Sequence, residues 1–193
     1  MPTGKRPITY SPRDAGLLQR GVTLIELMVA IAIFAVLAAA TVPTFSYTAA
    51  AYRISGQVNG WIGDLQYTRA EAIKRGQTVT LCISADGATC ALNTSSWDRG
   101  WIVFADANGS ATVDAGEAVL RSQPALIANS TFTADNHVRA ITFNRDGFAI
   151  GLPAGNVTLT LHDASGQSGL TRCVAVATVG RTTVQKAGTG NCA

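Results

Sequence analysis

Beyond residue 42 the chain has no second apolar run approaching 18 residues, which excludes a polytopic membrane protein. Histidine is scarce: His137 and His162 stand alone, and the spacings of Cys82, Cys90, Cys173 and Cys192 match no zinc pattern, so no metal is expected. A phosphate-cradling glycine loop is missing, and Ser84, Ser165 and Ser168 lack a nucleophile-elbow context. No catalytic residue and no cofactor is expected, and acids such as Asp135 and Asp163 read as loop carboxylates. From Gln77 onward no helix-length periodicity occurs, which argues against a parallel βαβ sheet. Internal repeats and low-complexity tracts are absent as well. Surplus charge is missing from most of the chain. The formal +3 is carried by Lys5, Arg6, Arg13 and Arg20 against Asp14; the rest holds 15 − 4 = 11 basic and 12 − 1 = 11 acidic residues.

What the sequence does have is one greasy stretch. From Leu27 to Val42 only Thr41 is polar, and counted from Val22 the segment is long enough, at about 1.5 Å per residue, to span a bilayer core of roughly 30 Å. Inside it sits Glu26, a carboxylate costing on the order of 2.5–3.5 kcal/mol at the centre of a membrane helix and less near an end. The basic flank ahead of it predicts a cytoplasmic amino terminus and an exported body. A secretory signal with a cut near Ala38-Ala39-Ala40 is one reading, but the charged lead-in is long and Glu26 interrupts the apolar core. An uncleaved anchor explains the length and the flank, not the acid.

The segment Arg20-Gly21-Val22-Thr23-Leu24-Ile25-Glu26-Leu27 resembles the type IV prepilin signature. That resemblance implies that a membrane-embedded prepilin peptidase cuts between Gly21 and Val22 and methylates the new amine. A glycine before the cut obstructs no protease and permits an extended backbone. The resemblance also implies that Glu26 pairs with the Val22 amine of a neighbouring subunit when apolar helices pack as a filament core, since a buried carboxylate is tolerable when paired. Hydration of Glu26 at the membrane surface is the plain alternative.

After Pro43, where a kink is expected, helical periodicity resumes. Ile54, Val58, Trp61, Ile62, Leu65, Ala72 and Ile73 form an apolar face, with Arg53, Asp64, Arg69, Glu71 and Lys74 assigned to other faces. Lys74-Arg75-Gly76 reads as a helix stop. Residues 22–75 would then form one bent rod about 80 Å long. Strands are expected over 78–83, 100–104, 119–120, 127–132, 138–143, 148–150, 157–161 and 173–179, with turns at Asn108-Gly109, Asp146-Gly147 and Ala154-Gly155-Asn156. They suit one antiparallel assembly, two small sheets on the second half of the helix, with Trp101, Phe104 and Phe148 in the core. Four cysteines in an exported domain suggest two disulfides; of three pairings, the local one, Cys82–Cys90 and Cys173–Cys192, is preferred. Asp106-Ala107-Asn108-Gly109-Ser110, with Asp114 and Glu117, half matches a calcium loop but reads better as a hairpin turn.

The stretch from Leu65 to Gly76, the strand with Cys82, Trp97 to Phe104, Ile141 to Phe148, and the ending with Gly180-Arg181 and a last cysteine resemble the GspH/FimT group of minor pilins and pseudopilins. The expected fold is α+β: a long bent amino-terminal helix packed on an antiparallel β domain. The expected organisation is a cleaved leader at 1–21, a transmembrane or filament-core helix at 22–42, an amphipathic spine at 43–75 and a β domain at 76–193. The resemblance implies a non-enzymatic subunit that primes or caps a type IV pilus or a type II secretion pseudopilus. It also implies single-pass anchoring in a bacterial inner membrane, a periplasmic carboxy-terminal domain, and partnership with prepilin peptidase, other minor pilins and the major pilin. Some FimT-like members bind DNA during uptake through a Gly-Arg-x-Arg element. Here Gly180-Arg181-Thr182-Thr183 lacks the second arginine, leaving Arg181 and Lys186 as candidate contacts, and such binding usually takes several cations. DNA is therefore the alternative partner rather than the favoured one. Clustering of Arg139, Arg145, Arg172 and Arg181 would strengthen it.

Overall fold

A computed structural model describes residues 21–193 except 92, 191 and 193, and leaves the side chains of 40–44 and 154 outside the description. The chain divides into two compact units, one ending at Thr44 and one running from Phe45 to Ala193. Helix α1 (Leu24–Arg75) contributes to both.

In the first unit the side chains are those of a helix without a polar face. Leu24, Ile25, Leu27, Met28, Ile31, Phe34 and Val36 are all well exposed. Among the described residues no helix is long and apolar enough to cross a membrane. The apolar part of α1 with described side chains, 24–39, is 16 residues, about 24 Å at 1.5 Å each. The expected span runs on to Val42, and the bend expected at Pro43 falls beside it; both side chains lie outside the described residues.

In the second unit α1 supplies an inner face of Ile54, Val58, Trp61, Leu65 and Ala72, all at most 2% exposed. Three- and four-residue spacing puts these on one stripe. It also puts Asp64 and Glu71 there, three residues after Trp61 and three after Thr68. The structure corrects the assignment of both acids to an outer face: they are 3% and 7% exposed. The helix ends at Arg75, where Gly76 takes a φ of 65° and its N–H reaches the Ile73 carbonyl.

The strands form two antiparallel sheets. One contains β1 (Val79–Ile83), β2 (Trp101–Ala105), β3 (Val119–Gln123), β5 (Ala140–Phe143) and β6 (Ala149–Ile150), in the order β3-β2-β1-β5-β6. The other contains β4 (Thr131–Ala134), β7 (Asn156–His162), β8 (Arg172–Ala177) and β9 (Thr182–Lys186), in the order β4-β7-β8-β9. Val79, Leu81, Ile141 and Phe143 from the first sheet meet Phe132, Leu159, Val174 and Val176 from the second around the helix stripe. Trp61 lies among them with Trp97 and Phe132 edge-on, both at 5.6 Å between centroids. Behind the first sheet, Cys82, Ile102 and Phe104 form a smaller cluster, so β1 and β2 are buried throughout.

Phe148 is 48% exposed, which corrects its expected place in the core. Asn144 holds the turn by accepting the N–H groups of Asp146 and Phe148, and β6 then turns Ala149 inward and Ile150 outward. Side-chain alternation along a strand leaves Phe148 outside. β9 was not expected. It pairs with β8 from Val176↔Thr182 to Arg172↔Lys186.

Candidate functional site

The amino-terminal site is built by a cap. Thr23 precedes the helix, its hydroxyl accepts the Glu26 N–H at 3.3 Å, and its carbonyl accepts the Leu27 N–H at 3.2 Å. This is one half of a capping box, Thr-x-x-Glu, in which the threonine hydroxyl accepts and Glu26 stands three residues into the helix. The pattern is plain in the sequence, yet the role of Thr23 was not anticipated there. The cap fixes Glu26 in the first turn, where the helix dipole favours a carboxylate. Glu26 is exposed, and its carboxylate has no hydrogen bond or ion pair among the described residues. Gly21 and Val22 lie just outside the helix in non-regular backbone, Val22 71% exposed. Gly21, Val22 and Glu26 thus sit on one accessible stretch, with apolar side chains following.

The second unit holds its helix with polar anchors as well as apolar burial. Asp64 accepts the Trp101 indole N–H at 2.9 Å and pairs with Arg121 at 3.0 Å, whose guanidinium lies 3.7 Å from the Tyr67 ring centre. Arg53 pairs with Asp163 at 2.5 Å. The N–H and hydroxyl of Ser165 and the Arg53 guanidinium hold the Asp163 carboxyl below the ordinary range, against the effect of burial. Glu71 is lowered by hydrogen bonds from Arg75 and Lys74, at 2.7 and 3.1 Å. The Asp64 and Arg53 pairs join the helix to the β domain, whereas the Glu71 pairs lie within the helix's last turn.

Disulfides join Cys82 to Cys90 and Cys173 to Cys192. Within the first loop Asp86 accepts the Thr89 hydroxyl and the N–H groups of Thr89 and Ala88, which hold its carboxyl well below the usual value. The second disulfide fastens the last residues to β8. The loop between β2 and β3 uses its acids on itself. Asp106 is buried and accepts the Thr80 hydroxyl and the N–H groups of Ser110 and Ala111, while Glu117 accepts those of Ala107 and Asp114. Among the described residues no cluster of histidine, cysteine and carboxylate suits a metal.

The cations considered for DNA lie in more than one place, and Arg145 and Arg181 sit on turns whose Gly147 and Gly180 both abut the Arg69 side chain. Arg181 immediately precedes β9 and Lys186 ends it, five residues or about 17 Å apart along a strand. Lys186 stands opposite Arg172 across the β8–β9 pair, whereas Arg181 follows Gly180, whose carbonyl receives Arg69. Arg139 belongs to another part of the surface, just ahead of β5.

A helix apolar at its start and carrying two antiparallel sheets beyond residue 45 defines a pilin-like subunit. A profile described as Type II transport protein GspH matches residues 57–180, and one described as the prokaryotic N-terminal methylation motif matches 17–42. The chain belongs to the GspH family of pilin-like proteins. No curated protein sequence matches it significantly. Two crystal forms of the type IV minor pilin FimU of Pseudomonas aeruginosa PAO1 share the fold. The P21 form has a TM-score of 0.51 at 21% identity, over 72% of this chain and 87% of that one. The P65 form has a TM-score of 0.50 at 20% identity, over 72% and 91%. Pilin and pseudopilin families consist of structural subunits that assemble with one another, not of enzymes.

Proposed function

We propose that this chain is a minor pilin or pseudopilin that primes or caps a type IV pilus or a type II secretion pseudopilus. Prepilin peptidase cleaves it between Gly21 and Val22 and methylates the Val22 amine. Residues 22–42 anchor it once across the bacterial inner membrane, with the β domain in the periplasm, until the helix leaves lipid for the filament. The carrying observation is Glu26: a solvent-facing carboxylate without a partner among the described residues, fixed by Thr23 at the head of a helix whose next dozen side chains are apolar. Removal from both water and lipid requires a counter-charge, and the Val22 amine of a neighbouring subunit is one that the same cleavage creates. The major pilin and other minor pilins are its partners in this reading.

The test uses the full chain in cells with a prepilin peptidase. Glu26→Ala is cleaved normally but enters sheared filaments at least about tenfold less than the parent, the loss of one buried charge pair. Normal incorporation of that variant, or a parent chain left uncleaved, overturns the proposal. Copurification with pilus-tip subunits or with secretion-system pseudopilins separates the two kinds of filament. DNA uptake is the other reading, and the separation of Arg181 from Lys186 counts against it.

A further inference from the structure

Away from the helix, residues 136–139 form a ridge between two adjoining hollows. On one side lies a cavity of about 610 Å³ lined by Asn93, Thr94, Ser95 and Ser96 together with Asn136, His137 and Arg139. On the other lies a cavity of about 300 Å³ lined by the Cys82–Cys90 disulfide, by Ala91, Ala140 and Pro153, and by the polar Ser110 and the ridge itself. The ridge is held in an uncommon backbone: Asn136 and His137 have φ of 48° and 54° in succession. Asp135 fixes it from beneath by accepting the Thr158 N–H at 3.0 Å, and the Arg139 carbonyl accepts the Ile83 N–H.

The chemistry of the larger hollow is one-sided. No acid lines it among the described residues. Arg53, Arg75 and Arg121 all pair with carboxylates, whereas Arg139 is exposed and its guanidinium has no hydrogen bond or ion pair among the described residues. The Thr94 hydroxyl accepts the Ser96 N–H and keeps its own proton to donate, and the Asn136 and Asn93 amides are exposed. One planar cation with a ring of hydroxyls, amides and the His137 imidazole recognises one oxyanion on a body rich in hydroxyls. A lone phosphate or sulfate would fill only a small part of a hollow of about 610 Å³. A nucleic acid would need several cations, and beside the His137 ring Arg139 is the one Lys or Arg that lines the hollow among the described residues. We propose that this cleft binds an acidic saccharide, with Arg139 on its carboxylate or sulfate, the Asn93–Ser96 and Asn136 polar groups on its hydroxyls, and the smaller hollow of mixed polar and apolar lining receiving an adjoining sugar ring.

The test takes the processed full chain in detergent and measures binding by calorimetry and saturation-transfer NMR. The probes are 3′-sialyllactose and trigalacturonate, with lactose, an acidic peptide and a DNA duplex as comparisons. At least one acidic sugar binds with a dissociation constant below 10 mM, and lactose at least about tenfold more weakly, the loss of one charge-assisted contact. A preference for sialyllactose marks animal-cell glycans as the source, and one for trigalacturonate marks plant or bacterial polysaccharide. Arg139→Gln lowers that affinity at least about tenfold, while Arg145→Gln, on a different turn, leaves it unchanged. Because the Arg139 side chain has no partner among the described residues, its variant keeps the parent unfolding midpoint. Equal binding of lactose, indifference to Arg139→Gln, no binding of either acidic sugar at 10 mM, or tighter binding of peptide or DNA overturns the proposal.

Discussion

Asp64 shows how much of the second unit depends on a single buried side chain. Its carboxylate is 4% exposed and serves two elements at once, whereas its partner Arg121 is 47% exposed. The two ends of that pair are therefore unequal. Asp64→Asn keeps an acceptor for the Trp101 indole and lets the guanidinium return to water, costing about 1 kcal/mol. Arg121→Ala leaves a buried charge without its counter-ion and removes the ring contact to Tyr67, costing about 2–4 kcal/mol. Urea unfolding of both variants checks the order, and the double variant should recover most of the difference. Trp61→Ala, between Trp97 and Phe132, should cost about 3–5 kcal/mol by the same measurement. Acid sensitivity has its sign fixed by the lowered carboxyls of Asp163 and Glu71. Both favour the folded state when ionised, so their contribution is complete above the unfolded pKa of about 4 and is lost as pH falls through the lower folded values. A melting-temperature series from pH 7 to 2 should fall below about pH 4, and Asp163→Asn should shallow that fall.

Elements were legible where burial leaves a period in the sequence. The stop at Lys74-Arg75-Gly76 and the strands at 78–83, 100–104 and 157–161 were visible because β-branched runs and a cation-glycine ending each have one structural use. Asp64 and Glu71 were misassigned because charge outweighed their place in the same three-and-four spacing as Trp61 and Thr68. The three apolar residues at 148–150 did not show which of them alternates inward. β9 went unseen since Thr182-Thr183-Val184 carries weak apolar contrast and lies half-exposed at a sheet edge. The meeting of Arg139 with Asn93–Ser96 was unreadable, being a contact between segments more than forty residues apart. Packing between elements also sets which glycines matter. Gly100 enters β2 at φ +103°, and a Cβ there would lie 2.6 Å from the Gln123 carbonyl oxygen and 2.9 Å from the Pro124 carbonyl carbon. Gly109, with a positive φ but open space around it, has no such neighbour. Gly100→Ala should therefore lower stability by more than the roughly 1 kcal/mol expected of Gly109→Ala, which paired thermal melts will show.

At the scale of the whole molecule, charge and its placement decide which partners the surface suits. Without residues 1–21 the chain carries 11 basic and 11 acidic residues, and several cations are committed to the helix anchors. What remains lies in small groups: Lys186 opposite Arg172 across β8 and β9, Arg181 just ahead of β9, and Arg139 just ahead of β5. Counterion release gives useful DNA affinity only when several phosphates are neutralised together, with a salt slope close to the number of contacts. A surface offering one or two cations at each place yields millimolar rather than micromolar binding. The expected result of a shift assay at low salt with the processed chain is no retarded band at micromolar protein, with no change on Arg181→Ala or Lys186→Ala. A micromolar complex that weakens steeply with salt and is lost in Arg181→Ala would mean that subunits pool their tail cations in an assembly. That outcome would move the DNA-uptake reading ahead of the priming or capping role, because the same β9 turn would then be repeated along a filament.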